Sequence, residues 1–195
     1  MPNFCDNTLW VVGEPVEVKK FVEACKNPNY GKKNKTADSD GKFRKNYREW
    51  LIFEGNFPCP QGKRDTKWGT KWGDCDTNLA DQGKNGAKFR FTTAWSPGSE
   101  GLRQISALYP ELAFMNAYEE PGFDFFGCDV FYRGKTIYSG SGNLPEGPDN
   151  WDDPDLDPDP HYDKIERVRD KWARKAVAKL AKKSSFHGKK LKAMV

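Results

Sequence analysis

The sequence predicts one α+β domain over residues 1–140, in which an antiparallel sheet carries two helices on one face. Three observations support this fold class. Several segments alternate apolar and polar residues or are rich in β-branched and aromatic side chains, as strands are. Two other segments place apolar residues at helical spacing, and the composition changes sharply after about residue 140. With 195 residues, 14% of them aromatic, the chain is long enough for one core built largely from rings.

A strand and a helix are predicted at the beginning of the chain. Residues 8–12 are apolar or β-branched, and Gly13 and Pro15 then end the strand and begin a helix over 15–26. Four apolar side chains follow at helical spacing: Val18, Phe21, Val22 and Cys25. Residues 27–46 carry six Lys or Arg among Asn, Gly, Asp and Ser, which predicts a solvated insertion.

The middle of the chain predicts two strands, a second helix and a fourth strand. The segments YREWLIF at 47–53 and KFRFTTAW at 88–95 have the composition or the alternation of strands. Residues 97–108 show a helical stripe, and residues 112–118 form the fourth strand. The resulting order, β-α-β-β-α-β, is the ferredoxin-like arrangement.

Three further segments follow this core. Residues 123–132 and 135–138 predict an added hairpin. Residues 141–161 contain five Pro and seven acidic residues, which predicts an extended linker. Residues 162–195 predict a basic amphipathic helix and tail, with an apolar stripe formed by Ile165, Val168, Trp172, Ala176 and Leu180.

The net charge of +4 combines two parts of opposite sign. Residues 162–195 hold 12 Lys or Arg and three acidic residues, a net charge of +9. Residues 1–161 hold the remaining 20 basic and 25 acidic residues, a net charge of −5. The tail has two interpretations. Its apolar face can dock on the body, and its basic face can bind phosphate. The two are compatible, since they use different faces.

The stretch KWGTKWGDCD at 67–76 places two Trp four residues apart, each followed by Gly. In one interpretation the loop folds across the sheet, and Trp68 and Trp72 pack against Trp95 and the phenylalanines of the third strand. In the other, the two indoles stay exposed beside Lys67 and Lys71 as a stacking platform for a base or a partner side chain. The sequence leaves both open.

Three motifs carry a resemblance to a known family. The opening MPNFCDNTLWVVG, the loop WGTKW and the strand-to-helix junction TAWSP together resemble the YubB ferredoxin-like family of bacteriophages, prophages and conjugative plasmids. The family opens with Trp where this chain has Phe4, an aromatic exchange. The resemblance covers about residues 1–140. It implies a ferredoxin-like fold and a gene carried by a mobile genetic element. It supplies no activity, no cofactor and no catalytic residues.

No enzyme motif is found in the sequence. The two histidines, His161 and His187, both lie outside the predicted core, so a catalytic His would have to reach a nucleophile from a linker or a tail. The sequence contains no phosphate-binding loop, no dinucleotide fingerprint and no H-E-x-x-H. We therefore expect a protein that is not an enzyme and needs no cofactor.

Two metal-site hypotheses are weighed against simpler alternatives. Alternate aspartates at 153–159 with Glu166 could form a calcium loop, but Pro160 occupies the position where the turn needs Gly, which favours a solvated linker. A site made from Cys59, Cys75 and His161 matches no zinc spacing. The five cysteines are odd in number and include no C-x-x-C, which favours reduced thiols. The prediction is no metal.

The sequence also predicts no membrane association. No basic segment precedes an apolar run at the N-terminus, and the longest apolar runs, LWVV and WLIF, have four residues. We expect the protein in the cytoplasm of a bacterial host.

Two function classes remain. The first is a non-enzymatic accessory protein of a bacteriophage or mobile element that binds a host or phage protein, for counter-defence or to modulate a host machine. The alternative is a module for RNA or single-stranded DNA that uses sheet aromatics (Phe89, Phe91, Trp95) and the basic C-terminal helix. The candidate binding residues for both classes are Lys67, Trp68, Lys71, Trp72, Arg90, Trp95, Arg167, Lys171, Arg174, Lys175, Lys179, Lys182 and Lys183.

Overall fold

The computed structural model describes residues 3–26, 53, 56–57, 68–71, 73–144, 163–165, 167–168, 171–172 and 175. Its elements, in chain order, are β1 (Phe4–Val12), α1 (Pro15–Ala24), β2 (Cys75–Gln82), β3 (Gly86–Ala94), α2 (Ser99–Leu108), β4 (Ala113–Glu120), β5 (Phe125–Tyr132) and β6 (Lys135–Asn143).

The six strands form one antiparallel sheet in the order β2-β3-β1-β4-β5-β6. The first four strands and the two helices follow the order β-α-β-β-α-β, which is ferredoxin-like. The hairpin β5–β6 extends this sheet beyond β4. The α+β class, the two helices and the added hairpin are therefore confirmed, and β6 continues past residue 140 to Asn143.

The second strand of the described sheet is Cys75–Gln82, and it is not part of the predicted segment 47–53. The strand that pairs with the outer side of β3 is β2, which includes the last two residues of KWGTKWGDCD. Phe53, the described end of YREWLIF, lies in a bend and is fully buried in the core, and residues 47–52 lie outside the described part of the chain. The segment 27–46 and the linker 145–161 also lie outside it.

Both helices cover the same face of the sheet, called the helix face below. Phe21 of α1 lies at the centre of the core there, with T-shaped contacts to Phe89 and Phe114 at 5.7 and 5.3 Å between ring centroids. Leu102 and Ile105 of α2 bury against the same cluster. The core is built from rings, as the aromatic content predicts.

Trp68 lies between the sheet and α2. Its side chain is 1% exposed and stacks on Phe53 with ring centroids 6.2 Å apart. A Cβ added at Gly101 would lie 2.2 Å from Cδ2 of Trp68, and one added at Gly98 would lie 2.8 Å from Cε3. The helix approaches the indole this closely because these two positions have no side chain.

A buried polar row crosses the helix face. Nδ2 of Asn116 donates to Oδ1 of Asn7 at 2.9 Å, and Nδ2 of Asn7 donates to Oγ1 of Thr93 at 3.0 Å. At the start of α2, the Ser99 hydroxyl donates to Asp129 at 2.5 Å. These bonds link β1, β3 and β4, and α2 to β5, so they fix the register of the sheet and the position of the helix.

The opposite face of the sheet carries a second apolar cluster over β4 and β5. Met115, Val130 and Tyr132 are buried there, and Trp172 of the C-terminal segment packs against them. Residues 163–165, 167–168, 171–172 and 175 are helical, and Ile165 is 2% exposed. The described residues of this segment therefore dock on the body through the predicted apolar stripe.

Candidate nucleic-acid interface

The register of the sheet places an aromatic and a basic side chain together on its opposite face. Trp10 of β1 pairs with Lys88 of β3, and Thr8 pairs with Arg90. Side chains alternate along a strand, so these four point away from the face that holds Leu9 and Phe89. We call Thr8, Trp10, Lys88 and Arg90 the Trp10 surface.

The contacts within the Trp10 surface suit a flat ligand that stacks on the indole. The ammonium of Lys88 lies 5.2 Å from the centroid of the Trp10 ring, a cation–π contact. Trp10 and Lys88 are half-buried, and Arg90 is exposed. A planar group can replace the ammonium on the indole, and the freed Lys88 can then pair with a phosphate, because its four-carbon stem is flexible.

A pocket of about 360 Å³ adjoins this surface at the turn between β2 and β3. Trp10 and Lys88 form one side of it, and Asp81, Lys84 and Asn85 form the rest of its polar lining. The volume falls within the range of small-molecule sites, about 300–1,000 Å³.

The C-terminal segment brings further cations to the same face. Trp172 stacks on Phe126 of β5 with ring centroids 5.0 Å apart, which fixes this segment over the sheet. Arg167, Lys171 and Lys175 are exposed there, and Arg167 forms an (i, i+4) ion pair with Asp163 at 3.5 Å. An exposed ion pair of this kind is weak and leaves the guanidinium able to contact another anion.

An acidic pair lies on this face at the far end of β1 and β4. Asp6 and Glu119 are direct cross-strand partners. Partial loss of hydration, and then repulsion from Glu119, raise the pKa of the Asp6 carboxyl above its ordinary value. Like charges opposite each other are unfavourable, so this pair also limits how far an anionic ligand can extend.

Asp6→Asn is expected to stabilise the protein at neutral pH. A carboxyl whose pKa is raised in the native state resists ionisation there, so its contribution to stability falls as the pH rises through the carboxyl range. The variant should gain about 0.2–1 kcal/mol at pH 7 and almost nothing at pH 3, where Asp6 is protonated. Thermal melts at both pH values measure this, with the exposed turn residue Asp124→Asn as control. A pH-independent difference contradicts the prediction.

The residues predicted from the sequence as one binding set lie in different parts of the structure. Trp68 is buried, so it packs in the core and is not a stacking platform. Phe89 and Phe91 are buried under the helices, because β3 turns these positions toward α1 and α2, and they cannot stack on a ligand. Arg90 remains exposed on the opposite face. Six proposed residues lie outside the described part of the chain: Lys67, Trp72, Arg174, Lys179, Lys182 and Lys183.

Trp95 and Lys71 do come together, at the end of β3. The Lys71 ammonium lies 4.6 Å from the Trp95 ring, and Trp95 is 42% exposed with a φ of 66°. Its backbone N–H donates to the carbonyl oxygen of Asn3 at 2.9 Å. The ring that Trp68 stacks on is Phe53, and Trp68 shares its buried cluster with Phe89 and Phe91 of β3, as one of the two interpretations predicted for the phenylalanines.

Two more exposed aromatic side chains lie at this end of the sheet. Phe4 and Phe123 are 49% and 62% exposed. A Cβ added at Gly122 would lie 2.1 Å from Nδ2 of Asn3, so the turn before β5 adjoins the start of β1. We call Phe4, Trp95 and Phe123 the aromatic end.

The four cysteines that the structure describes form no disulfide bond with one another: Cys5, Cys25, Cys75 and Cys128. Burial raises the pKa of Cys5 to about 12 and raises the pKa of Cys25 as well. These two thiols are poor nucleophiles in the folded protein. In the described residues, no three His, Cys, Asp or Glu side chains converge as a metal site. Cys59, His161 and the aspartates at 153–159 lie outside those residues.

Trp10 is the functional candidate that sequence reasoning missed. Residues 9–12 form a continuous apolar run, LWVV, which carries no alternation to show which side chain leaves the core. The available signal is the alternation of β3, in which Lys88 and Arg90 alternate with Phe89 and Phe91. It becomes informative once β1 is known to pair with β3.

Comparison with known proteins gives one family match. Residues 67–153 match the family model described as the ferredoxin-like domain in Api92-like protein. The crystal structure of protein Api92 from Yersinia pseudotuberculosis aligns with 76% of this chain and 100% of that chain, at 11% sequence identity and a TM-score of 0.49. No curated protein matches the chain significantly. Among the helices of the described residues, none is long and apolar enough to span a membrane.

The family match supports the ferredoxin-like part of the expected resemblance, and the YubB name does not follow from it. Over residues 67–153, the chain is similar to the ferredoxin-like domain described for Api92-like protein.

Proposed function

We propose that this protein is a non-enzymatic module that binds single-stranded nucleic acid on the Trp10 surface. The observation that carries the proposal is the placement of Trp10, Lys88 and Arg90 on the neighbouring strands β1 and β3, on the face that α1 and α2 leave uncovered. Modules that bind single strands combine an aromatic platform for bases with cations that follow the backbone.

The energetics favour a role for Trp10 in affinity. Stacking of one base on an aromatic side chain contributes about 1–3 kcal/mol. Arg90 lies two residues along β3 from Lys88, about 7 Å away in an extended strand. A strand whose base covers Trp10 can therefore place successive phosphates near both cations.

The basic C-terminal helix extends the same surface. Its described cations, Arg167, Lys171 and Lys175, are exposed while Trp172 holds the segment on the sheet. In this proposal the further basic residues of the tail, among them Arg174, Lys179, Lys182 and Lys183, add to its positive charge. Counterion release from phosphates then makes the binding strongly dependent on salt.

The proposal is tested with fluorescein-labelled U9 RNA and dT9 DNA, by fluorescence anisotropy in 50 mM salt. We expect Trp10→Ala to weaken binding by about 5- to 150-fold, the equivalent of one lost stacking contact. Arg90→Met, an exposed change that leaves the core intact, should weaken it several-fold. Lys19→Met on α1 removes an exposed positive charge from the other side of the molecule and serves as the matched control.

Two results would overturn the proposed function. One is the absence of binding by the wild-type protein to either oligonucleotide at low salt. The other is equal binding by wild type, Trp10→Ala and Arg90→Met, with melting temperatures that show all three folded.

A second candidate function rests on the aromatic end. Phe4, Trp95 and Phe123 expose three large apolar side chains at one end of the sheet, which is typical of a protein interface. A host or phage protein that presents an apolar patch is the partner in this hypothesis. The test measures the binding of a candidate partner to the purified protein. The partner should bind wild type stoichiometrically and should not bind the double variant Phe4→Ser/Phe123→Ser.

The resemblance in the sequence motifs motivates the biological setting. We infer an accessory role on a phage or plasmid, in the cytoplasm of the bacterial host. Nucleic-acid binding and protein binding use different surfaces here, so one protein can carry both.

A further inference from the structure

We propose that the pocket beside Trp10 selects guanine, through the carboxylate of Asp81. This inference rests on the proposed function and names the base that the Trp10 surface prefers. The pocket has room for one nucleobase, with Trp10 on one side and Asp81 in its lining.

An irregularity in β2 brings Asp81 to this position. Leu79 pairs with Phe89, which faces the helices, whereas Asp81 pairs with Lys88 on the opposite face. The register shifts between Leu79 and Asp81, so one extra residue, Ala80, is accommodated in between. With regular pairing Asp81 would point to the helix face. Bulges commonly redirect a side chain next to a functional site.

Asp81, Lys88 and Trp10 consequently form one row across three strands. Each side chain then has a different role toward a nucleotide. The indole of Trp10 stacks on the face of the base, and the ammonium of Lys88 pairs with the phosphate. The carboxylate of Asp81 accepts hydrogen bonds from the edge of the base. This division of roles matches how single-stranded bases are recognised, by stacking together with hydrogen bonds to the Watson–Crick edge.

The chemistry of the carboxylate selects the base. An ionised carboxylate accepts hydrogen bonds and donates none. Guanine presents two adjacent donors on its Watson–Crick edge, N1–H and the N2 amino group, which match the two carboxylate oxygens. Adenine and cytosine place an acceptor beside their amino group, and uracil places its single donor between two acceptors. Only guanine therefore meets both oxygens without repulsion.

The experiment compares U9 with three variants that carry G, A or C at the central position, measured by fluorescence anisotropy with the full-length protein. We expect the G oligonucleotide to bind about tenfold or more tightly than the others, since a bidentate pair discriminates by about that factor. Asp81→Asn should bring the affinity for the G oligonucleotide down to that for the A oligonucleotide, so that the preference for G is lost. Asp124→Asn, which neutralises a distant exposed carboxylate, should keep the preference.

A second arm does not depend on strand binding. Guanosine 5′-monophosphate is titrated into labelled protein, and the shifts of the Trp10 indole N–H and the Asp81 amide are followed by NMR against adenosine 5′-monophosphate. Shifts at both positions with the guanine nucleotide, and smaller shifts with the adenine nucleotide, support the inference even if no oligonucleotide binds, in which case only the proposed function fails. Oligonucleotide binding that depends on Trp10 and shows no preference for G overturns the inference and leaves the proposed function standing. Failure of both nucleotides to shift either residue also overturns it.

Discussion

Trp68→Ala is expected to lower the free energy of unfolding by about 3–5 kcal/mol, among the largest effects of any single change in this chain. The indole is 1% exposed and stacks on Phe53, so its removal leaves a cavity between the sheet and α2. Trp68→Phe should cost less, because the indole N–H has no hydrogen-bond partner among the described residues and its loss removes an unsatisfied buried donor. Urea denaturation followed by circular dichroism measures both.

The same contact predicts that Gly101→Ala destabilises the protein. In an ordinary helix this change stabilises by about 1 kcal/mol, because Ala is the better helix former. Here the new methyl would lie 2.2 Å from the Trp68 ring, an overpacking that costs about 1–3 kcal/mol. Gly83→Ala is the matched control, since the nearest atom to its Cβ would be 4.0 Å away.

A double variant separates this explanation from a general effect of Gly101. In Trp68→Leu/Gly101→Ala the smaller side chain makes room for the methyl, so the two changes should cost less together than the sum of the single changes. Additive costs would mean that the methyl at position 101 collides with something else. Strong quenching of Trp68 fluorescence by iodide, measured against Trp68→Phe, would contradict the burial itself.

The order of the elements could be predicted from the sequence, because the buried strands and the helices carry clear apolar periods. β2 could not. Its sequence, CDTNLADQ, is mostly exposed and has one fully buried side chain, Thr77. An edge strand needs a partner only on one side, so its backbone pairing with β3 leaves little trace in its side chains. The apolar segment 47–53 therefore appeared to be the better strand.

The binding surface was less predictable than the fold, since it depends on pairing between distant segments. Phe89 and Phe91 have suitable chemistry, but the helices decide which face of β3 is buried. Trp10 lies on the other face because it alternates with the buried Leu9 and Val11, and the register of β1 against β3 then places Lys88 beside it. The left-handed conformation of Trp95 has no signal in the sequence, since a bulky residue seldom adopts it.

The basic tail should contribute strongly to nucleic-acid affinity, and the structure shows how to test this without unfolding the protein. Deletion of residues 162–195 would remove Ile165 and Trp172 and uncover the apolar cluster on β4 and β5. Loss of binding in that truncated protein would not separate lost charge from lost structure. The triple change Arg167→Gln, Lys171→Gln and Lys175→Gln keeps both docking residues and alters only exposed side chains.

If these three cations each meet one phosphate, the slope of log K against log salt for U9 RNA should become shallower by about 2, from about 0.7 for each contact with a single strand. Binding should weaken most at 50 mM salt and converge with wild type as the salt concentration rises, because the lost interaction is one that salt already screens. Lys19→Met/Lys20→Met, which removes exposed charge from α1, should leave the slope unchanged. An unchanged slope in the triple variant would assign the phosphate contacts to the Trp10 surface. The C-terminal segment would then only pack on the sheet and would not contact phosphate. A melting temperature equal to wild type would show that the docking of Trp172 on Phe126 survives the substitutions, so the change in slope would report charge alone.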